Sequence, residues 1–413
     1  MSTPQLKGRS DNTSKSQHHK LIGFQNVVRL GYVSLFTDLS SEMILGVLPT
    51  FIVNELGGTA ALLGIIEGTA EAVNNFLRVL TGVITDRIAR RKPLVLLGYA
   101  LSSFAKPLFA LTSTWSQALL VRVVDRAGKG ARTPPRDALI SDSIAESDTG
   151  KAFGVHGSLD QVGAVLGPLL AFAAIPLIGL RGVFWLSFVP AAISLLILIF
   201  FVKETVGLTE QKHMFANATE VLNHHFIVLL AVLGIFALGA YNFSFILLRA
   251  SYLGASKAEI PLVYATLNVA TIVLGLPSGI LADRIGKIPV LCLSYVAFLV
   301  TSVMGIILVG NSLYAYLIAF LFGAYLGISD TVQRAIIPDF VKKELKGTAY
   351  AFYYILIGVG SLAANTIFGS LWTNLSSSTA FVYSVATSVA GVAAIMLFLV
   401  ISRKKSQFIG YTV

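Results

Sequence analysis

Charge and cysteine are both scarce in this chain. Asp, Glu, Lys and Arg make up 13% of its 413 residues, and Cys292 is the one cysteine. A soluble domain carries about 25% charge. With 55% hydrophobic residues and a mean hydropathy of +0.77, a water-soluble fold is excluded, because it could not cover so much apolar surface. One cysteine excludes an internal disulfide and a thiolate metal cluster. There is no HExxH, no GxxxxGK[ST] loop and no GxSxG elbow. No enzyme, ATP-driven pump, cofactor or metal site is therefore expected. The first twenty residues are polar and lack an apolar core, so no cleaved signal peptide is expected.

What the chain has is long apolar runs separated by short polar breaks. A membrane-spanning helix needs roughly 20 residues. Twelve such runs occur, near 25–53, 59–84, 93–113, 115–134, 152–176, 182–202, 224–250, 258–281, 289–309, 312–333, 348–372 and 379–402. The expected fold is an all-α integral membrane protein of twelve transmembrane helices in two six-helix bundles. The expected division is a tail at 1–22, a first bundle at 23–202, a linker at 203–223, a second bundle at 224–402 and a tail at 403–413.

Net charge is +10, which in a soluble protein would suggest nucleic acid. Here the basic residues sort by loop. Arg87, Arg90, Arg91, Lys92, Arg132, Arg136, Lys151, Lys203, Arg284, Lys287, Lys342, Lys343 and Lys346 fall on one side with both tails, whereas the opposite loops hold only Arg181 and Lys257. This bias predicts both termini in the cytoplasm. The excess is then a topology signal directed at a lipid bilayer, with no nucleic-acid partner.

The chain also repeats itself. Gly57 and Gly254 are 254 − 57 = 197 residues apart, and the same offset links Gly82 with Gly279, Asp86 with Asp283, Arg87 with Arg284, Gly130 with Gly327, Asp142 with Asp339 and Gly163 with Gly360. Each half holds six spans, so the halves enter the membrane in the same direction and form a parallel repeat.

At two equivalent places this repeat carries a family pattern. Gly82-Val-Ile-Thr-Asp86-Arg87-Ile-Ala-Arg90-Arg91-Lys92 resembles the loop between spans two and three of the major facilitator superfamily, with Ala89 where that family usually has glycine. The copy Gly279-Ile-Leu-Ala-Asp283-Arg284-Ile-Gly286-Lys287 restores the glycine. The resemblance covers nearly the whole chain and is closest to twelve-span bacterial members. It implies a gating role for Gly82, Asp86, Arg87, Arg91, Gly279, Asp283, Arg284 and Gly286. In it, Asp86 would dock near Gly347 at the start of span eleven and Asp283 near Gly150 at the start of span five, latching the halves. Arg126, Lys129 and Gly130 resemble the span-four arginine motif of proton-driven exporters, with Lys129 where glutamine is usual. Gly163-Ala-Val-Leu-Gly167-Pro168 resembles the span-five motif of antiporters.

Ionisable residues inside a span are expensive, so they should face the bundle interior or a wet cavity. The first half has many. Asp38 and Glu42 share one face of span one, and Glu67, Glu71, Asn74 and Arg78 form a stripe on span two. Arg122, Asp125, Arg126 and Lys129 do so on span four, His156 and Asp160 on span five, and Lys106 precedes Pro107 in span three. Asp38, Glu42, Glu67, Glu71, Asp125 and Asp160 are candidates for proton coupling. Arg78, Lys106, Arg122, Arg126 and Lys129 are their candidate partners, and a purely structural ion-pair network is the competing reading. Tyr241, Asn242, Phe243, Tyr314, Phe320 and Tyr325 are candidates for an apolar cavity wall, or for ordinary packing.

The function expected is secondary transport of a small molecule by alternating access, driven by protons and directed toward efflux of a drug or metabolite. Proton-coupled import of an organic solute or chelate is the alternative, and a membrane enzyme or channel is a remote one. A monomer in the bacterial inner membrane is expected.

Overall fold

The computed structural model describes the backbone of residues 7–145, 148–205 and 218–409, and the side chains of Gly23 to Val400 within those stretches except Ala218 and Lys343. Much of the expected linker, with Lys212, and the side chains of the basic tail residues lie outside the described residues. Every regular element described is helical.

The helices form twelve spans. Span one combines Lys7–Leu45 with the short Leu48–Asn54. Spans two, three and four are Ala60–Arg87, Lys92–Leu108 with its Phe109–Leu111 extension, and Trp115–Asp142. Thr149–Leu186 is two helices in one continuous trace. Gly179, at φ 67° and ψ 179°, turns the chain between span five and a span six that ends in Phe188–Phe200. That positive φ is cheap only for glycine. Span seven is split into His224–Ala237 and Ser244–Tyr252. Spans eight to twelve are Ile260–Ile285, Lys287–Ile307, Leu313–Ile336, Lys346–Asn374 and Ser377–Ile409. The chain is an integral multi-pass membrane protein built as a helical bundle.

Two spans depart from the sequence reading, and in each the reason lies in another helix. Span four is expected to stop near 134, with Arg136 in the loop beyond it. It runs on to Asp142, straight through Pro134 and Pro135. A helical proline removes one N–H and leaves the carbonyl four residues earlier without its donor. For Pro134 that carbonyl belongs to Gly130, and Thr81 Oγ1 of span two shares its proton between it, at 3.2 Å, and Leu77 C=O, at 2.7 Å. Span seven was expected to be continuous, but it unwinds between Ala237 and Ser244. Its freed polar groups are met from spans eleven and twelve. Asn365 Oδ1 accepts from Asn242 N–H at 2.7 Å, Ser384 Oγ donates to Gly239 C=O at 2.9 Å, and Tyr383 Oη donates to Leu238 C=O at 2.7 Å. Non-helical backbone is tolerated at membrane depth only where protein satisfies it in this way.

The halves meet tightly away from the basic end, the end that carries Arg87 and Arg284. Spans two and eleven run side by side, with Ala61 N–H donating to Thr373 Oγ1 at 2.8 Å. A Cβ at Gly64 would overlap the Asn365 carbonyl, and one at Gly68 would sit 3.1 Å from Leu362 Cα. Leu48–Asn54 of span one packs on Ser244–Tyr252 of span seven. At the basic end the same helices part. A cleft of about 430 Å³ opens there, with Arg78, Gly82 and Arg136 on one wall and Arg334, Gly347 and Tyr350 on the other.

The close approach at Gly64 gives a direct test. Gly64→Leu should lower stability by about 1–3 kcal/mol through overpacking, read as a fall in melting temperature in detergent. Gly154→Ala should leave the melting temperature unchanged, because a Cβ there meets nothing within 4 Å. Equal behaviour of the two variants would rule out a tight seam between spans two and eleven.

Candidate functional site

The charged residues of the first half sort into separate groups. In one, Arg122 of span four, 1% exposed, donates to Glu67 of span two at 2.8 Å and to Asp125 at 3.2 Å. Ser102 Oγ of span three donates to the other Asp125 oxygen at 2.6 Å. Lys106, also 1% exposed, lies in the electrostatic reach of Asp125 and donates to Thr37 C=O of span one at 3.3 Å. This group ties the first four spans into one body.

A second group joins spans one, four and five. Arg132 stands 3.9 Å from Asp38 and lies over the Tyr99 ring at 4.3 Å. Asp160 lies in the electrostatic reach of Asp38 and accepts a hydrogen bond from Ser34 Oγ. Arg132 is buried inside span four and is the partner of Asp38. Glu71 lies in the electrostatic reach of Arg126, Lys129 and Arg78, and accepts from Asn74 Nδ2 and Asn75 Nδ2, both at 3.0 Å.

Glu42 reaches across to the other half. Its Oε2 accepts from Tyr264 Oη at 2.6 Å and from Asn268 Nδ2 at 3.3 Å, both on span eight. Asn268 Nδ2 also donates to Ala164 C=O at 2.8 Å. Ala164 is four residues before Pro168, so the proline of the span-five motif frees the carbonyl that Asn268 takes. Gly167 lets span five close on this place, since a Cβ there would lie 2.7 Å from Glu42 Cβ. Tyr264 and Asn268 were not singled out from the sequence. Each is an ordinary polar residue in an apolar run, and only the proline hinted at a carbonyl in need of a donor.

The second half supplies an aromatic pocket of about 170 Å³. The split in span seven turns Tyr241, Asn242 and Phe243 into it, and Tyr325 joins them from span ten. Asn365 and Gln333, absent from the sequence reading, add amides. Tyr314 and Phe320 are elsewhere. Tyr314 packs against the core, and Phe320 is 43% exposed on the outside of the bundle.

The loop motifs sit at the basic end. Gly82 and Gly347 line the cleft together, and Asp86 and Arg87 are exposed beside it. Arg91 pairs with Asp142 at 3.3 Å, and its N–H and that of Lys92 donate to Glu204 at 2.9 Å and 3.1 Å. In the second half Lys287 pairs with Asp339 at 2.6 Å. Asp142 and Asp339 are thus related by the repeat and play the same part, anchoring a 2–3 type loop to the end of span four or ten. Gly286 supplies the positive φ of 95° that starts span nine. Arg284 is exposed, a Cβ at Gly279 would sit 3.4 Å from Thr331, and Asp283 is exposed with no hydrogen bond or ion pair to a described residue. No cluster of three or more potential metal ligands occurs among the described residues.

A bundle of twelve spans with a cleft open at one end only is the architecture of an alternating-access carrier. The family model described as Major Facilitator Superfamily matches residues 30–247 and 227–410. The MFS-type transporter MJ1317 of Methanocaldococcus jannaschii is 32% identical over 403 residues, covering 95% of this chain and 99% of that one. The protein Rv2265 of Mycobacterium tuberculosis is 24% identical over 402 residues, covering 92% of this chain and 94% of its own. Among solved structures, the nucleoside transporter NupG aligns with a TM-score of 0.70 at 12% identity, over 91% of this chain and 98% of that one. A POT family transporter in complex with a thioalcohol conjugated peptide aligns at 0.73 and 13% identity, over 92% and 96%. The chain belongs to the major facilitator superfamily. It is a secondary transporter that moves a small molecule across a lipid bilayer by alternating access, and this fold argues against an enzymatic role.

Proposed function

We propose that the transporter is proton-coupled, that its basic end faces the cytoplasm, and that Glu42 is the coupling carboxylate. The observation that carries this reading is the pair of hydrogen bonds from Tyr264 and Asn268 to Glu42. Both partners donate, so the ionised carboxylate holds the halves together at the end away from the cleft. Hydrogen bonds to a charged acceptor are worth about 1.5–3 kcal/mol against about 0.5–1.5 for neutral ones. Protonation therefore loosens this closure and favours opening on the opposite side. The charged groups around Glu42 are Asp38 on its own helix and Lys129 and Arg126 on span four. Asp38, with Asp160 and Arg132, sits one turn nearer the cleft and is the natural relay from the cytoplasm.

Basic loops stay on the cytoplasmic side of a membrane, which supports placing both termini inside a cytoplasmic membrane, with the cleft of this state open inward. Efflux in exchange for protons is the direction we favour. The Gly163–Pro168 segment, similar to an antiporter motif, is built against Glu42. The monomer contains both halves of the pathway.

Proteoliposomes with an imposed pH gradient test the coupling. A mixed panel of radiolabelled anions, cations and neutral solutes should include one whose flux rises at least about tenfold with the gradient, and Glu42→Gln should abolish that rise while leaving downhill flux. Flux indifferent to the gradient in the wild-type protein would defeat the proposal.

A further inference from the structure

Among the charges of the first half every one of six carboxylates has at least one polar partner, whereas three of the bases have no hydrogen bond or ion pair to a described residue. Glu67 and Asp125 meet Arg122, Asp38 meets Arg132, Asp160 meets Ser34, Glu71 meets two asparagines, and Glu42 meets Tyr264 and Asn268. By contrast, Arg126 and Lys129 make no hydrogen bond or ion pair to any described residue, and Arg126 Nε is buried without an acceptor. Arg78 Nε is likewise buried and unpartnered, and its guanidinium meets only the Tyr354 ring at 4.9 Å.

Arg78 lines the cleft, and helical spacing directs Arg126 and Lys129 toward it from deeper in span four. Thr133 and Asp137 of span four line the cleft. Lys129 and Arg126 lie on the same face of that helix, one and two turns deeper. The cleft itself is lined by Arg78, Arg136 and Arg334 against a single carboxylate, Asp137. Among the described residues Arg136 and Arg334 pair only with near-sequence acids, Asp137 at 2.8 Å and Asp330 at 3.5 Å. The aromatic pocket of the second half lies next to this cleft. Tyr354 and Arg334 line the cleft, while their neighbours Tyr353 and Gln333 line the aromatic pocket with Tyr241, Phe243 and Tyr325.

We infer that the transported solute is an organic anion with a planar apolar body. Its acidic group is held by Lys129 and Arg126 of the first half and Arg334 of the second, and its body lies in the aromatic pocket. The ligand supplies an acceptor for the buried Arg126 Nε–H and for the half-buried Lys129 ammonium, neither of which has one among the described residues. A cationic solute would meet three arginines at the mouth, and each of the six carboxylates within already accepts at least one hydrogen bond or ion pair. A bidentate acid suits the guanidinium forks. This inference rests on the transporter reading but does not depend on proton coupling.

The test uses full-length protein in detergent and three probes: phenyl phosphate, inorganic phosphate and benzyltrimethylammonium. Phenyl phosphate should raise the melting temperature saturably, inorganic phosphate should bind at least about tenfold more weakly, and benzyltrimethylammonium should have no effect. Lys129→Gln and Arg334→Gln should each weaken phenyl phosphate about tenfold. Arg334 is half-exposed, so its variant should fold even if a deeper one does not. Inorganic phosphate binding as tightly as phenyl phosphate would overturn the organic body. Saturable binding of the ammonium probe, or phenyl phosphate affinity unchanged in both variants, would overturn the anion site. Counterflow in proteoliposomes separates this from the function itself. Phenyl phosphate binding without flux would sink transport and keep the site, and flux of the ammonium probe would do the reverse.

Discussion

Arg122→Met is expected to be the most damaging single substitution in the first half, lowering stability by about 3–5 kcal/mol. Arg122 is 1% exposed and is held by Glu67 on span two and Asp125 on its own span. Removing the guanidinium leaves two buried carboxylates with no counter-charge between them. Asp125 keeps Ser102 and stays near Lys106, but Glu67 has no other partner among the described residues, and its Oε1 is already buried without a hydrogen bond. The loss therefore falls mainly on Glu67. Adding Glu67→Gln in the same chain should recover most of it, because a neutral amide beside the apolar replacement leaves no uncompensated charge on span two. Melting temperatures in detergent, with monodispersity as a second readout, decide the matter. If the single variant melts with the wild type, the buried triad does not bind spans two and four together.

Glu42→Gln has the second large expected effect, and it is conformational. The neutral amide resembles the protonated carboxyl, so each of the two bonds from span eight weakens by about 1 kcal/mol. Together that is about 2 kcal/mol, roughly a 30-fold shift in the balance between inward-open and outward-open states. A cysteine at Ala61, in the closed seam between spans two and eleven, reports the opening. Cys292 must first be replaced by Ser, since it is the chain's only thiol. Alkylation by a membrane-impermeant maleimide should be at least about tenfold faster with Glu42→Gln than without it. An unchanged rate would show that this carboxylate does not hold the outer closure. The two predictions separate cleanly. Arg122 lies within the first half and should change stability with little effect on the seam. Glu42 lies between the halves and should change the seam with little effect on melting.

The contrast between these residues shows where sequence reading stops. Both stood out as costly charges in apolar runs, because the desolvation of an ionised side chain does not depend on which fold receives it. The sign of the partner was legible for Arg122, since acids sit at helical spacing on span two. For Glu42 nothing nearby in the chain indicated Tyr264 or Asn268, whose hydrogen bonds join residues more than two hundred positions apart. The end of span four, with Arg136, differs from the sequence reading for a related reason. Two adjacent prolines look like a helix end, and the hydroxyl of Thr81 that keeps the helix going belongs to another span. Among the aromatic candidates, periodicity did not distinguish Tyr325 in the pocket from Phe320 on the outer surface, because the split in span seven decides which faces meet.

Composition, loop charge and the 197-residue offset were enough, by themselves, to determine a membrane protein of twelve spans in two repeated halves. Those properties follow from the cost of placing peptide and charge in hydrocarbon, which acts on each segment independently. The tertiary structure alone decided which buried charges neutralise one another, which carboxylate bridges the halves, and which cations are left facing an open cleft. Pairing in a low-dielectric interior is a relation between helices that are remote in the chain, so it is fixed only when the bundle closes.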